Sequence, residues 1–125
     1  MSKTLAITEA CPMELGLNIL SGKWTLRILW HLSKTPVRFN ELQRRLSPIT
    51  TKALTQQLRA LEEEGMVTRT VCPSSPPQVE YRLSDLGQTI LPVLQTLCDW
   101  GKTYQEARTG DGKAVPWSMK PTGQS

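Results

Sequence analysis

Apolar residues recur at helical spacing along most of this chain and alternate in one short stretch, and that change of period predicts its elements. Phe39, Leu42, Leu46 and Ile49 form one face of a helix. Asn40 caps it, Gln43 three residues on completes a variant of the reciprocal capping box, and Pro48 stops it. Thr50 is a fresh cap for a second helix, in which Leu54, Leu58 and Leu61 repeat at i, i+4 and i+7 until Gly65 supplies the stop. Two short helices around a tight turn make a helix-turn-helix. Upstream, Cys11-Pro12 opens a helix to about Leu20, with proline where a helix tolerates it best. Met13, Leu17 and Leu20 lie on one of its sides, Leu15 and Ile19 on another, so it needs two packing partners. After Ser21-Gly22, a helix from Lys23 to about Ser33 turns Trp24, Ile28 and Leu32 to the core, with Leu26 and Trp30 widening the stripe.

Downstream of Gly65, Met66 to Val71 and Val79 to Leu83 are rich in β-branched residues and flank a proline-stiffened loop, Cys72 to Gln78. They read as a β-hairpin, with Val37 to Phe39 as a short edge strand. Ser84 caps a last helix carrying Leu86, Ile90, Val93, Leu94, Leu97, Trp100 and Tyr104 at spacings of three and four, and Pro92 should kink it or split off its first turn. The expected fold is mainly α with a small β-hairpin (α+β), a winged helix-turn-helix between N- and C-terminal dimerisation helices. The final stripe exceeds what so small a core can cover, so Met13, Leu17, Val93, Leu97, Trp100 and Tyr104 are assigned to a two-fold homodimer. Residues 1–10 read as an arm, 11–108 as the domain and 109–125 as a flexible tail with Trp117 as its one anchor.

Charge decides which face matters. The chain carries a net +4, but between Leu20 and Thr70 nine basic residues stand against four acidic ones, so positive charge gathers on the helix-turn-helix half. Opposite the leucine stripe of the second helix lie Lys52, Gln56 and Arg59, flanked by Thr50, Thr51 and Thr55. Lys52 and Arg59 precede Glu62, Glu63 and Glu64, which would repel phosphate, so the N-terminal part of that helix must face a polyanion. These six residues are the expected base readers in a major groove. Lys23, Arg38, Arg44 and Arg45 are the expected backbone contacts, with Gln78 and Arg82 on the hairpin. A polar face alone is what any surface helix shows; the turn and the hairpin beside it carry the argument.

Several classes are set aside. No Ser, His, Cys or carboxylate cluster suits catalysis, so no enzyme is expected, and no cofactor either. Cys11, Cys72 and Cys98 form no CxxC pair, and with His31 the sole histidine no metal site is expected. No leader or membrane-length apolar run is seen, which points to a cytoplasmic protein without a membrane partner. A winged helix that docks on protein, or a ligand-binding protein with an incidental basic face, remains the alternative.

The ordered set Cys11-Pro12-Met13-Glu14, Gly22-Lys23-Trp24, Arg38-Phe39-Asn40-Glu41-Leu42, Thr51 to Leu58, Leu61 to Gly65, Val79-Glu80-Tyr81 and Leu97-Cys98-Asp99-Trp100 resembles the HxlR-type winged-helix transcription regulators of bacteria and archaea. The resemblance implies a homodimer on double-stranded DNA at an inverted-repeat operator. It also implies a role for Cys11: some such regulators sense quinones, aldehydes or disulfide stress at this cysteine, while others begin with Cys-Pro and have no redox role. A small-molecule or oxidant effector is therefore left open. At an N-cap, the helix dipole and unpaired N–H groups would favour a thiolate there. Cys98 is expected to be buried in the dimer helix and Cys72 to be an ordinary strand residue. Wing tips of that family commonly carry a basic residue where this chain has Gln78, which implies either a lower wing affinity or Arg82 as a substitute.

Overall fold

Burial of Leu54, Leu58 and Leu61 along one helix organises the structure, a computed structural model that describes residues 10–109. In chain order the elements are α1 (Pro12–Leu20), α2 (Thr25–His31), β1 (Val37–Arg38), α3 (Phe39–Arg45), α4 (Thr51–Glu63), β2 (Val67–Cys72), β3 (Gln78–Leu83), α5 (Asp85–Gln88) and α6 (Leu91–Thr109). The arm up to residue 9 and the tail from residue 110, Trp117 included, lie outside the described residues. The chain forms two compact units, one up to Leu91 and one from Pro92.

The first unit is a winged helix-turn-helix. Strands β1 and β2 both pair antiparallel with β3, in the order β1-β3-β2. The registers Val37↔Tyr81 and Val67↔Leu83 put these four buried side chains on one face of the sheet. Ile28, Leu29, Leu42, Leu54, Leu58 and Val67 are fully buried in the core. Leu46 and Ile49, at the turn between α3 and α4, are buried too, as the sequence stripe requires.

Two local expectations need correction. Helix α2 starts at Thr25, not Lys23, and its buried face is Thr25, Ile28, Leu29 and Leu32. Trp24 is its N-cap, and Trp30, 48% exposed, stands about 150° round the helix from that face. Helix α3 begins directly after β1, so Arg38 occupies the N-cap position and Asn40 falls inside the first turn. Pairing of Val37 and Arg38 with β3 fixes that boundary, and Gln43 is released from the capping role. By contrast Thr50 caps α4 as expected, its hydroxyl accepting from Ala53 N at 3.0 Å. The expected break is also present: α5 ends at Gln88 and α6 starts at Leu91, with Pro92 in its first turn.

The junction between β3 and α5 is the tightest place in the unit. Gly65 turns at φ 79°, a left-handed conformation that glycine adopts freely. Ser84 N donates to Met66 O at 3.0 Å, the Ser84 hydroxyl donates to Gly65 O, and Gly87 N donates to the Ser84 hydroxyl at 2.9 Å. A Cβ on Gly87 would stand 2.0 Å from Met66 O, which is backbone and cannot rotate away.

In α6, Trp100 stacks on Tyr104 at 5.5 Å and Arg108 lies over the Tyr104 ring. Val93, Leu97, Trp100 and Tyr104 are about half exposed, and in α1 Met13 and Leu17 are more so. Among the described residues no helix is long and apolar enough to cross a membrane. Gly87→Ala is expected to destabilise the fold by about 1–3 kcal/mol or more in urea unfolding, since the added methyl forces backbone apart; unchanged stability would show that α5 sits further from the Met66 turn.

Candidate nucleic-acid interface

The leucine stripe that holds α4 to the core decides what its other face can do. With Leu54, Leu58 and Leu61 turned inward, Thr50, Thr51, Lys52, Gln56 and Arg59 are exposed and Thr55 is half-buried. Lys52, Gln56 and Arg59 follow i, i+4, i+7 along one line of the surface. They offer an ammonium, an amide and a guanidinium, suited to base edges or phosphate.

What fixes that line in space was not legible in the sequence. Gln43 Nε2, from α3, donates to Ile49 O at 3.3 Å and to Thr51 Oγ1 at 3.1 Å, so one side chain clamps the turn to the first residue of α4. The Ile49 carbonyl can only accept, so the end of the amide that meets Thr51 is the donor. Thr51 therefore uses a lone pair inward and keeps its proton to donate outward. On the inner side, buried Thr25 of α2 donates to Gln57 Oε1 at 3.2 Å, a second tie between α4 and the body. The signal for both was present in the spacing of polar residues on otherwise apolar faces, but their partners are set only by folding.

The acidic end of α4 also has a structural use. Glu62 lies 3.8 Å from Arg69 Nε of β2, which ties the helix to the sheet. Burial pushes the Tyr81 hydroxyl above its ordinary value, while Arg69 and Arg59 pull it down and Glu62 raises it. Arg59 is thus within electrostatic reach of the sheet as well as of solvent.

The expected backbone contacts fall into separate groups. Lys23 Nζ and the Arg27 guanidinium lie 5.3 and 5.2 Å from the Trp24 ring, in cation–π range. Arg44 and Arg45 both donate to Glu41, with Arg44 Nε at 3.0 Å and Arg45 Nε at 2.9 Å, and a second Arg44 contact makes that pair bidentate. Those bonds hold the Glu41 carboxyl down at about 2. His31 is held below its ordinary value by burial and by Arg45, so it stays uncharged at neutral pH. Arg38 Nη1 donates to Gln78 Oε1 at 3.0 Å across β1 and β3. Arg82 lies four residues further along β3, opposite Thr68, and lines a separate cleft with Lys34. The cation that the structure brings to the wing residue Gln78 is Arg38.

Cys11 is the N-cap of α1 and is exposed, without a side-chain capping bond. Cys98 is exposed on the single chain and Cys72 is partly covered.

Comparison with known proteins gives this arrangement a context. The family model for HxlR-like helix-turn-helix proteins matches residues 19–109. An uncharacterized HTH-type transcriptional regulator of Methanothermobacter thermautotrophicus is 40% identical over 106 residues, covering 85% of this chain and 81% of the relative. Among solved structures, the redox regulator HypR in its reduced form superposes with a TM-score of 0.74 at 36% identity, over 80% of this chain and 99% of HypR. The reduced form of the transcriptional regulator YodB from B. subtilis gives 0.70 at 31% identity, over 78% of this chain and 97% of YodB.

Proposed function

This chain belongs to the HxlR-like helix-turn-helix family of transcriptional regulators, and from that premise we propose that it acts as a homodimer on an inverted-repeat operator. The observation that carries the reading is the exposed line Lys52, Gln56, Arg59 on a helix whose opposite face is locked in the core. Helix α4 enters the major groove by its N-terminal part, with Thr50, Thr51 and Thr55 beside that line. Lys23, Arg38, Arg44 and Arg45 meet phosphates on either side, and Gln78 brings the wing to the backbone. These contacts position the domain; the α4 face specifies sequence. Uncovered Met13 and Leu17 of α1, with Val93, Leu97, Trp100 and Tyr104 of α6, are the surfaces that a second subunit covers. Two subunits so joined place their recognition helices about one helical turn apart, ~34 Å. The domain then spans 11–108, with the arm before it and the tail after.

Cys11 is the proposed entry point for an oxidant or electrophile. Support comes from its exposure at an N-cap on a helix assigned to the dimer, and from structural similarity to HypR, a redox regulator. Modification there adds bulk or a cross-link where the subunits set half-site spacing. A displacement of an ångström or two would misalign two helices that must enter successive grooves together.

Binding to duplex DNA, titrated by fluorescence anisotropy over a range of salt, is expected to give a slope of log K against log salt steeper than about −5 for the dimer; a slope near zero contradicts DNA binding. Diamide or a quinone is expected to release wild-type protein, Cys72→Ser and Cys98→Ser from the duplex, and to leave Cys11→Ser bound. Unchanged binding by wild-type protein whose Cys11 is shown by mass to be modified would remove the sensing role.

A further inference from the structure

Glu41 is the one acidic residue of α3, and it faces the two arginines that end the same helix. Its Oε1 accepts from Arg44 Nε at 3.0 Å, and its Oε2 accepts from both Arg44 Nη2 and Arg45 Nε, the latter at 2.9 Å. The Nε–Nη2 edge of Arg44, one of the two edges by which a guanidinium grips a phosphate in two-point fashion, is therefore occupied by a carboxylate. All three side chains are at the surface, with the Arg44 side chain 72% exposed. Exposed pairs one helical turn apart contribute little to stability. The consequence here is electrostatic: two cations next to the helix-turn-helix turn carry a net single charge, and one of the two donor edges of Arg44 is already taken.

We propose that Glu41 is an internal competitor for DNA phosphate, a positioning residue whose hold on Arg44 and Arg45 must loosen as they meet the backbone, and which so sets how tightly the protein binds any duplex. This rests on the reading that the protein binds DNA. Phosphate must either displace the carboxylate or accept the remaining Nη edge. Because the carboxyl is held at about 2, Glu41 stays ionised throughout the neutral range and the competition does not lapse with moderate acidification. Phosphate contacts carry no base information, so the effect is uniform across sequences. Glu41 thus adjusts affinity while the α4 face adjusts preference.

The test is a mutant cycle on the full chain, with affinity for a random-sequence duplex measured at several salt concentrations. Glu41→Gln is expected to bind several-fold more tightly than wild type, with a salt slope steeper by about 1–2 for the dimer as freed arginines reach phosphate. The same substitution in an Arg44→Ala, Arg45→Ala background is expected to give no gain, because the arginines are the route. Thermal melting of each variant confirms that the fold is retained. If Glu41→Gln binds no more tightly than wild type, or if its gain persists without the two arginines, the proposal is overturned and only net charge is at work. A wild-type chain that binds no duplex overturns both readings, whereas one that binds while Glu41→Gln brings no gain overturns this one alone.

Discussion

A helix has one face to bury and one to offer, and in this protein burial of Leu54, Leu58 and Leu61 makes that choice for α4. With those leucines buried in the same core as Ile28, Leu29, Leu42 and Val67, rotation of α4 about its axis would expose apolar surface, at about 25 cal/mol for each Å². The orientation of Lys52, Gln56 and Arg59 is therefore a by-product of core packing. The polar ties from Gln43 and Thr25 then fix the tilt and the height of the helix, which the leucines alone leave free to slide. Position comes from apolar burial, and register from hydrogen bonds.

The same division explains which parts of the molecule could be read from the chain. Elements with a strong local signal were legible: the leucines of α4, the stripe through Leu42, Leu46 and Ile49, the β-branched runs that become β2 and β3, and the break near Pro92. In α2 two apolar lines compete, Trp24-Ile28-Leu32 and Ile28-Leu29-Leu32, and periodicity cannot rank a tryptophan against a leucine. The structure buries the smaller Leu29 completely, and Trp24 takes the cations of Lys23 and Arg27 on its ring. Asn40 was misplaced for a related reason. Capping rules see the local sequence, whereas the start of α3 is set by strand pairing with residues forty positions away.

The candidate site was legible as a face but not as a network. Which cations line α4 follows from 100° per residue. That Arg38 meets Gln78 and that Arg82 sits in a different cleft depend on side-chain reach across elements, whereas Arg44 and Arg45 share Glu41 within α3, three and four residues on. These partnerships matter because they change how many positive charges are free. Counting nine basic residues in the middle of the chain overstates what a polyanion meets, since Arg69 and Glu62 also face each other and two cations rest on Trp24.

On the proposed function the outward face of α4 reads bases, and two copies do so together. Selection of bound duplexes from a random pool tests it directly, with wild-type protein beside variants carrying alanine at Lys52, Gln56 or Arg59. Wild type is expected to recover an inverted repeat whose half-site centres stand about one helical turn apart. At least one alanine variant should recover the repeat with preference lost at particular base pairs, symmetrically in both halves, at ~1–3 kcal/mol per contact. A pool with no repeat, or variants that all recover the wild-type sequence unchanged, would contradict it.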